Sequence, residues 1–355
     1  MSKKLKIGII GAGGICQKAH APGYQKMDNV EIVGVCDLIE ERAKYVAEML
    51  DAGFVCTDYK EILNLEGLDA VDICTPNYLH SVIAVEALEK GLNVFCEKPD
   101  AVSAAEAQKM KDAAEKSGKV LMVMRNNRYR TMSSYLKQYI ADGKMGDIYA
   151  ARCGWQRRRG IPGKGGWFTT KAQSGGGPLI DLGVHFIDLA IWLMGNPRPV
   201  AVSGCAYEKF ANSDVTDSVH SKFGTVKDGG TFDVEDLAMG FIRFDNGACM
   251  QIEFSWASNI EKEKLFVEFR GTKSGAEWTS LDDKLKIFTE EYGSTVDIVP
   301  NLGSGIQIHE ANLRHFADVV LNGAEPMFVP QQGLDMIKIL EGFYKSAELG
   351  REIEL

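Results

Sequence analysis

In the first 124 residues, short apolar runs alternate with helical patterns, and that rhythm leaves few folds open. LKIGIIG (5–11), EIVGVCD (31–37), FVC (54–56), AVDICT (70–75), NVFCEK (93–98) and VLMVM (120–124) are strand-like. Helical patterns near 14–26, 40–51, 58–64, 78–90 and 103–117 separate them. Apolar strands joined by helices of this length predict a parallel sheet covered on both faces. The alternation stops near Met124. A helix over about 131–142, a strand over 147–154, a glycine-rich loop (160–177) and a very apolar helix follow. Longer alternating runs come next: PVAVSGCAYEKF, DLAMGFIRFDN, GACMQIEFSWAS and EKLFVEFRGTKS. DNG (245–247) marks a hairpin between two of them. The expected fold is an α/β domain with a parallel sheet (1–124), then an α+β domain with a large, mainly antiparallel sheet (125–330). A C-terminal helix (331–355) is expected to pack back near the first domain, and another late helix to span about 308–322.

Composition narrows the function. The net charge is −9 over 355 residues, which argues against a nucleic-acid partner, since that needs a basic face. None of the eight cysteines forms a CxxC pair, and several end apolar runs, so they are expected to be reduced core residues of a cytoplasmic protein. The first apolar run breaks into glycines and is a strand rather than a signal segment. No run approaches the roughly 18 apolar residues of a membrane span, so no membrane partner is expected.

GIIGAGGIC sets Gly11, Gly13, Gly14 and Ile15 between the first strand and a helix. Glycines there permit a tight turn and close backbone approach, and the helix N-terminus attracts a pyrophosphate. Cys16 departs from the third position of the pattern. Asp37 ends the second strand, where an acid grips ribose hydroxyls. With Leu38 rather than Arg beside it, the carboxylate disfavours a 2′-phosphate, so NAD is expected over NADP. TPNYLH (75–80) follows the fourth strand. Thr75, Pro76, Asn77 and His80 are read as a wall of the nicotinamide side, and Asn77 equally as a helix N-cap. CEKP (96–99) ends the fifth strand at the same edge, setting Glu97 and Lys98 by the nicotinamide, with Pro99 suited to a cis bond.

SGGGPLIDLGVHFIDLAIWLMG (174–195) places Asp181 and His185 four residues apart in an otherwise apolar helix. Such groups are costly there unless they face a cavity or each other. His185 has the chemistry of a base for an alcohol proton, and Asp181 that of a carboxylate that orients it. The triple glycine before them is expected to bring backbone close to the cofactor. A metal set of Asp181, His185 and Asp188 has no supporting His or Cys cluster, so no metal is expected. RNNRYR (125–130) offers Asn126 and Arg128 to cofactor or substrate. WQRRRGIPGKGGWF (155–168) offers Trp155 and Trp167 for stacking on a sugar, and Arg158, within the run 157–159, for an acidic group. His309 opens a late helix.

GIIGAGGI, TPNYLH, CEKP and the 174–195 run together resemble the Gfo/Idh/MocA oxidoreductases, related to glucose–fructose oxidoreductase and inositol dehydrogenase, over essentially the whole chain. The resemblance implies an N-terminal Rossmann domain and a C-terminal open antiparallel sheet. It implies a carbohydrate or cyclitol substrate, a Lys98–Asp181–His185 catalytic set, and a homodimer or homotetramer formed through the open sheet. The expected activity is NAD-dependent hydride transfer between nicotinamide and a secondary alcohol of a sugar, glycoside or inositol-like polyol. An NAD-dependent glycoside hydrolase working by transient oxidation is the first alternative. A non-enzymatic NAD-binding regulator is the second, disfavoured because a sensor needs no proton relay.

Overall fold

The computed structural model describes residues 4–213, 224–305 and 307–355. Strands β1 (Leu5–Ile10), β2 (Val30–Cys36), β3 (Phe54–Cys56), β4 (Ala70–Ile73), β5 (Asn93–Cys96) and β6 (Leu121–Val123) form one sheet in the order β3-β2-β1-β4-β5-β6. All its pairings are parallel. Every residue of β4 and β6 is buried, as expected of parallel strands covered on both faces. Helices α1 (Ala21–Tyr24), α2 (Glu40–Leu50), α3 (Tyr59–Leu63), α4 (His80–Glu89) and α5 (Ala104–Ser117) are the crossovers. Ser103 caps α5 by accepting from Glu106 N, and Gly118, at φ 65°, ends it. The strand order reverses between β1 and β4, so the carboxyl ends of those two strands flank the point where such sheets take ligands.

After α6 (Thr131–Ala141) come β7 (Ile148–Gln156), α7 (Lys171–Ser174), α8 (Val184–Leu193), β8 (Pro199–Tyr207), β9 (Leu237–Phe244), β10 (Cys249–Ser255), β11 (Lys264–Gly271), β12 (Gly275–Thr279), β13 (Lys284–Glu291) and β14 (Ser294–Ile298). The chain ends with α9 (Ile308–Asn322), α10 (Pro330–Leu349) and β15 (Ile353–Glu354). The second sheet runs β14-β13-β12-β11-β7-β10-β9-β8-β15. Among its pairings only β7 with β10 is parallel. The DNG turn joins β9 to β10, with Gly247 at φ 84°.

Two compact units divide the chain: residues 1–126 with 306–337, and residues 127–305 with 338–355. The first boundary lies within two residues of the expected one. The later boundaries are corrected. Helix α9, expected in the second domain, belongs to the first unit: Arg125 N donates to Asn312 at 2.8 Å, and Leu313 lies 2.9 Å from where a Gly23 Cβ would stand. The last helix was expected to pack near the first domain, which describes only its start, where Gly333 abuts Asp100. From Lys338 on, the chain belongs to the second unit. There Phe343 fills the space a side chain at Gly204 would need, Ser346 Oγ accepts from Gly204 N at 3.0 Å, and β15 pairs with β8. The helical run Lys171–Leu193 is long and apolar enough to cross a membrane, but 78% of its most apolar window is buried inside the protein. That burial makes it a core helix.

Candidate functional site

In the first unit the glycine turn has the geometry a dinucleotide needs. Gly11 has φ 99°, and a Cβ there would stand 2.6 Å from the Cys74 carbonyl carbon, so both conformation and space require glycine. A Cβ at Gly13 or Gly14 would meet nothing within 4 Å, so room lies open over the turn. Ile15 leads into a π-helical turn, Cys16–His20, in which Cys16 is fully buried. Asp37 is half-buried past β2; its Oδ2 accepts from Ala12 N at 2.8 Å and its Oδ1 from Ile39 N at 2.8 Å. Each oxygen keeps a lone pair for a further hydroxyl donor. The Thr75 hydroxyl, just past β4 at the switch point, is buried without a partner. Open room, an orphaned hydroxyl and a placed carboxylate together fit NAD.

Two expectations here need correction. Asn77 is buried and opens a 3-10 turn (Asn77–Leu79) ahead of α4. His80 is fully buried, with Nδ1 2.7 Å from Pro99 O and Nε2 2.8 Å from Thr75 O. It laces the Thr75–Pro76 loop to the CEKP loop rather than presenting its ring to a ligand. Burial lowers its pKa, with the two carbonyls acting the other way. Glu97 is 5% exposed and turned inward, bonded to His20 and to Lys98 N. Lys98 is half-exposed, and the Lys98–Pro99 bond is cis. Asn126 is buried; its Nδ2 lies 2.9 Å from His309 Nε2 and its Oδ1 has no partner.

In the second unit, a π-helical turn (Leu179–Gly183) runs straight into α8. Such turns recur at functional sites. From Gly176 to Ala190 every residue is buried except Asp181 and His185. The helix is core on all sides but one, and that side carries both polar groups. Trp256, fully buried, donates Nε1 to Asp181 Oδ2 at 3.0 Å. The Trp155 ring stands 6.2 Å from the His185 ring, and its Nε1 donates to Glu263 at 2.9 Å.

Of the arginine run, Arg158, expected to meet an acidic group, is exposed and donates to Glu261 O. The neighbour faces the site instead. Arg157 is 7% exposed, lies 4.7 Å over the Trp155 ring, and has a buried Nε without a partner. Burial pulls its pKa down, and the carboxylates of Asp181 and Glu263 act the other way. Arg128 is no ligand group: at 1% exposed, its Nε and Nη2 donate to Asp188 at 2.8 and 2.6 Å. That pair also takes Asp188 out of any metal set. Trp167 stacks on Phe168 at 3.8 Å.

Packing inside the second unit requires two of the three glycines. A Cβ at Gly176 would stand 2.6 Å from Tyr344 Cζ, and one at Gly177 would be 3.0 Å from the Glu235 carboxyl carbon. Buried Glu235 accepts from Gly177 N, Leu179 N and Tyr344 Oη at 2.9, 3.0 and 2.9 Å. A carboxylate thus binds the start of the helical run, whose N–H groups have no internal partners. Glycine lets Tyr344 and Glu235 come close enough. Glu235 and Trp256 escaped the sequence reading because only the tertiary packing brings them to the helix.

Residues 5–125 match the family model described as an oxidoreductase family with an NAD-binding Rossmann fold, and residues 133–277 match a GFO/IDH/MocA C-terminal domain. The chain is 33% identical over 355 residues to a D-glucoside 3-dehydrogenase of Escherichia coli strain K12, covering 100% of this chain and 98% of the relative. It is 31% identical over 289 residues to a levoglucosan dehydrogenase of Pseudarthrobacter phenanthrenivorans, covering 76% and 72%. A solved levoglucosan dehydrogenase, in complex with NADH and levoglucosan, superposes with a TM-score of 0.85 over 99% of each chain at 24% identity.

Proposed function

Because the chain belongs to the GFO/IDH/MocA oxidoreductase family, we propose that it is an NAD-dependent dehydrogenase of a secondary alcohol on a sugar or glycoside. The observation that carries the reading is the stretch from Gly176 to Ala190, in which Asp181 and His185 alone escape burial. NAD, when bound, supplies the acceptor for the substrate's hydride. His185 takes the hydroxyl proton. Asp181, anchored by Trp256, orients the imidazole and stabilises its charged form. Lys98 polarises the reacting oxygen. Trp155 offers an aromatic face to the sugar ring, and the unpartnered Arg157 Nε offers a donor to a substrate oxygen. Gly11, Gly13, Gly14 and Asp37 hold the cofactor.

The name of the Escherichia coli relative makes the 3-hydroxyl of a D-glucoside the first to test. A panel of sugars, glycosides and inositols with NAD should form NADH in stoichiometric amount with at least one unsubstituted sugar or glycoside. Aglycone release from a nitrophenyl glycoside without NADH accumulation would replace this reading with hydrolysis by transient oxidation.

The reading includes a preference for NAD. Asp37 repels a 2′-phosphate, and Leu38, 83% exposed, offers it nothing. Asp37→Ser with Leu38→Arg should shift the kcat/KM ratio towards NADP by removing a repulsion and adding a charged donor. A wild-type protein that already uses NADP better than NAD would contradict the role given to Asp37.

The reading also includes a cytoplasmic setting and a homo-oligomer. All eight cysteines are free, six of them buried, which suits a reducing compartment. Tyr207, Met239, Phe241 and Phe288 of the large sheet are exposed, which suits association through that sheet.

A further inference from the structure

A chain of buried polar groups in the first unit leads to Lys98. His20 closes the π-helical turn after the glycines and is fully buried. Its Nδ1 lies 2.7 Å from Asp72 Oδ2 on β4, and its Nε2 lies 2.9 Å from Glu97 Oε1 just past β5. Both partners are carboxylates, which only accept when ionised, so one imidazole serves both only with a proton on each nitrogen. Tyr24 Oη donates to the same Asp72 oxygen at 3.0 Å. The other Glu97 oxygen accepts the backbone N–H of Lys98 at 3.0 Å.

The electrostatics agree with the geometry. Burial disfavours the charged ring, but Asp72 and Glu97 more than offset it and raise the His20 pKa well above its ordinary value. Burial would raise Glu97; His20 outweighs it and, with Lys98 and His309, brings it down to about 2. The other titratable groups around the ring are Cys74, 3.4 Å from Nδ1, and Tyr24, with Cys16 hydrogen-bonded to Cys74 as a free thiol.

We propose that Asp72, His20 and Glu97 form a charged positioning relay for Lys98, with His20 held as an imidazolium between two carboxylates. The proposal rests on the reading of Lys98 as the group that polarises the substrate oxygen. Two carboxylates and one imidazolium leave one net negative charge. That charge lies along the relay that ends at the Lys98 backbone. Glu97 fixes the Lys98 backbone, His20 fixes Glu97, and Asp72, itself held by Tyr24, fixes His20. All three are buried, so they act through Lys98 and are positioning residues. Misplacing a reacting group by an ångström from a distance costs up to about 10²-fold in rate.

The first test is nitrogen NMR of the histidine rings in the full-length wild-type protein, with His20 assigned by its loss in His20→Gln or its shift in Glu97→Gln. Both ring nitrogens of His20 should stay protonated from pH 6 through pH 8. A neutral His20 ring at pH 7 overturns the proposal, with no variant needed for catalysis. The second test is a double-mutant cycle of His20→Gln and Lys98→Ala, read in kcat with saturating NAD and in NAD affinity. His20→Gln should lower kcat about 10- to 100-fold in the wild-type background. It should cost little more once Lys98 is gone, because coupled residues are non-additive. Equal losses in both backgrounds mean that His20 is merely structural, and overturn the relay. Lys98→Ala with undiminished kcat would instead overturn the catalytic reading of Lys98, a separable outcome.

Discussion

Replacing His185 with alanine should lower turnover by about 10²–10⁴-fold, the usual worth of a positioned acid–base group, while NAD affinity stays near the wild-type value. The two effects separate because His185 belongs to the second unit, whereas Gly11, Gly13 and Asp37 belong to the first. His185 is half-exposed in a helix whose other neighbouring positions, Asp181 apart, are core, so truncation leaves the packing of Phe186 and Ile187 untouched. In the wild type, alcohol oxidation should speed up with rising pH as the His185–Asp181 unit loses its proton, with an apparent titration that belongs to the pair. That ascending limb should vanish in His185→Ala. The decisive measurements are kcat across pH with saturating NAD, and an NAD titration on the variant. A folded, NAD-binding His185→Ala protein with near-normal turnover would reduce the Asp181–His185 pair to a satisfied contact beside the core.

The largest stability effect is expected at Arg128 and Asp188. Both are almost fully buried, joined by two hydrogen bonds of 2.8 and 2.6 Å, and the guanidinium lies 5.8 Å from the Trp192 ring. Asp188→Ala takes the carboxylate away from a buried guanidinium. Breaking such a pair from one side costs about 3–5 kcal/mol, a fall in Tm on the order of 10 °C for a domain of this size. Replacing both partners by apolar residues of similar volume, Arg128→Met with Asp188→Leu, should recover most of the loss, because a buried pair gains little over a well-packed apolar contact. Denaturant unfolding of the three variants tests this. An Asp188→Ala protein within about 1 kcal/mol of wild type would show that Arg128 finds another partner or reaches water.

The parallel sheet was legible because its strands are continuous apolar runs, a pattern that few other arrangements explain. β1 to β6 fall within three residues of the runs read from the sequence. Strands β12, β13, β14 and β15 were not legible: β12, β14 and β15 are short, β14 is largely exposed, and of the eight residues of β13 only Leu285 and Ile287 are buried, so little apolar period marks them. Fragments such as GxGxxG-like turns, CEKP and the Asp181–His185 helix could be read locally, because each needs only its own backbone context.

The amino-acid order by itself determined where the chain turns, which stretches seek a core, and which few polar groups stand in apolar surroundings at a cost. Those are local properties of spacing and hydrophobicity. Only the tertiary structure decided what each polar group does with its charge. Arg128, a candidate ligand in the sequence, is committed to Asp188, sixty residues away. Within three consecutive arginines it is Arg157, not Arg158, that lies by the helix, because its register on the strand end turns it over Trp155. The glycines before Asp181 serve Tyr344 and Glu235. His20, unremarkable in its helix, bridges carboxylates 52 and 77 residues downstream. Hydrogen-bond and ion-pair partners are set by proximity in space, and for buried groups the cost of lacking one is so high that the fold, not the residue type, assigns the role.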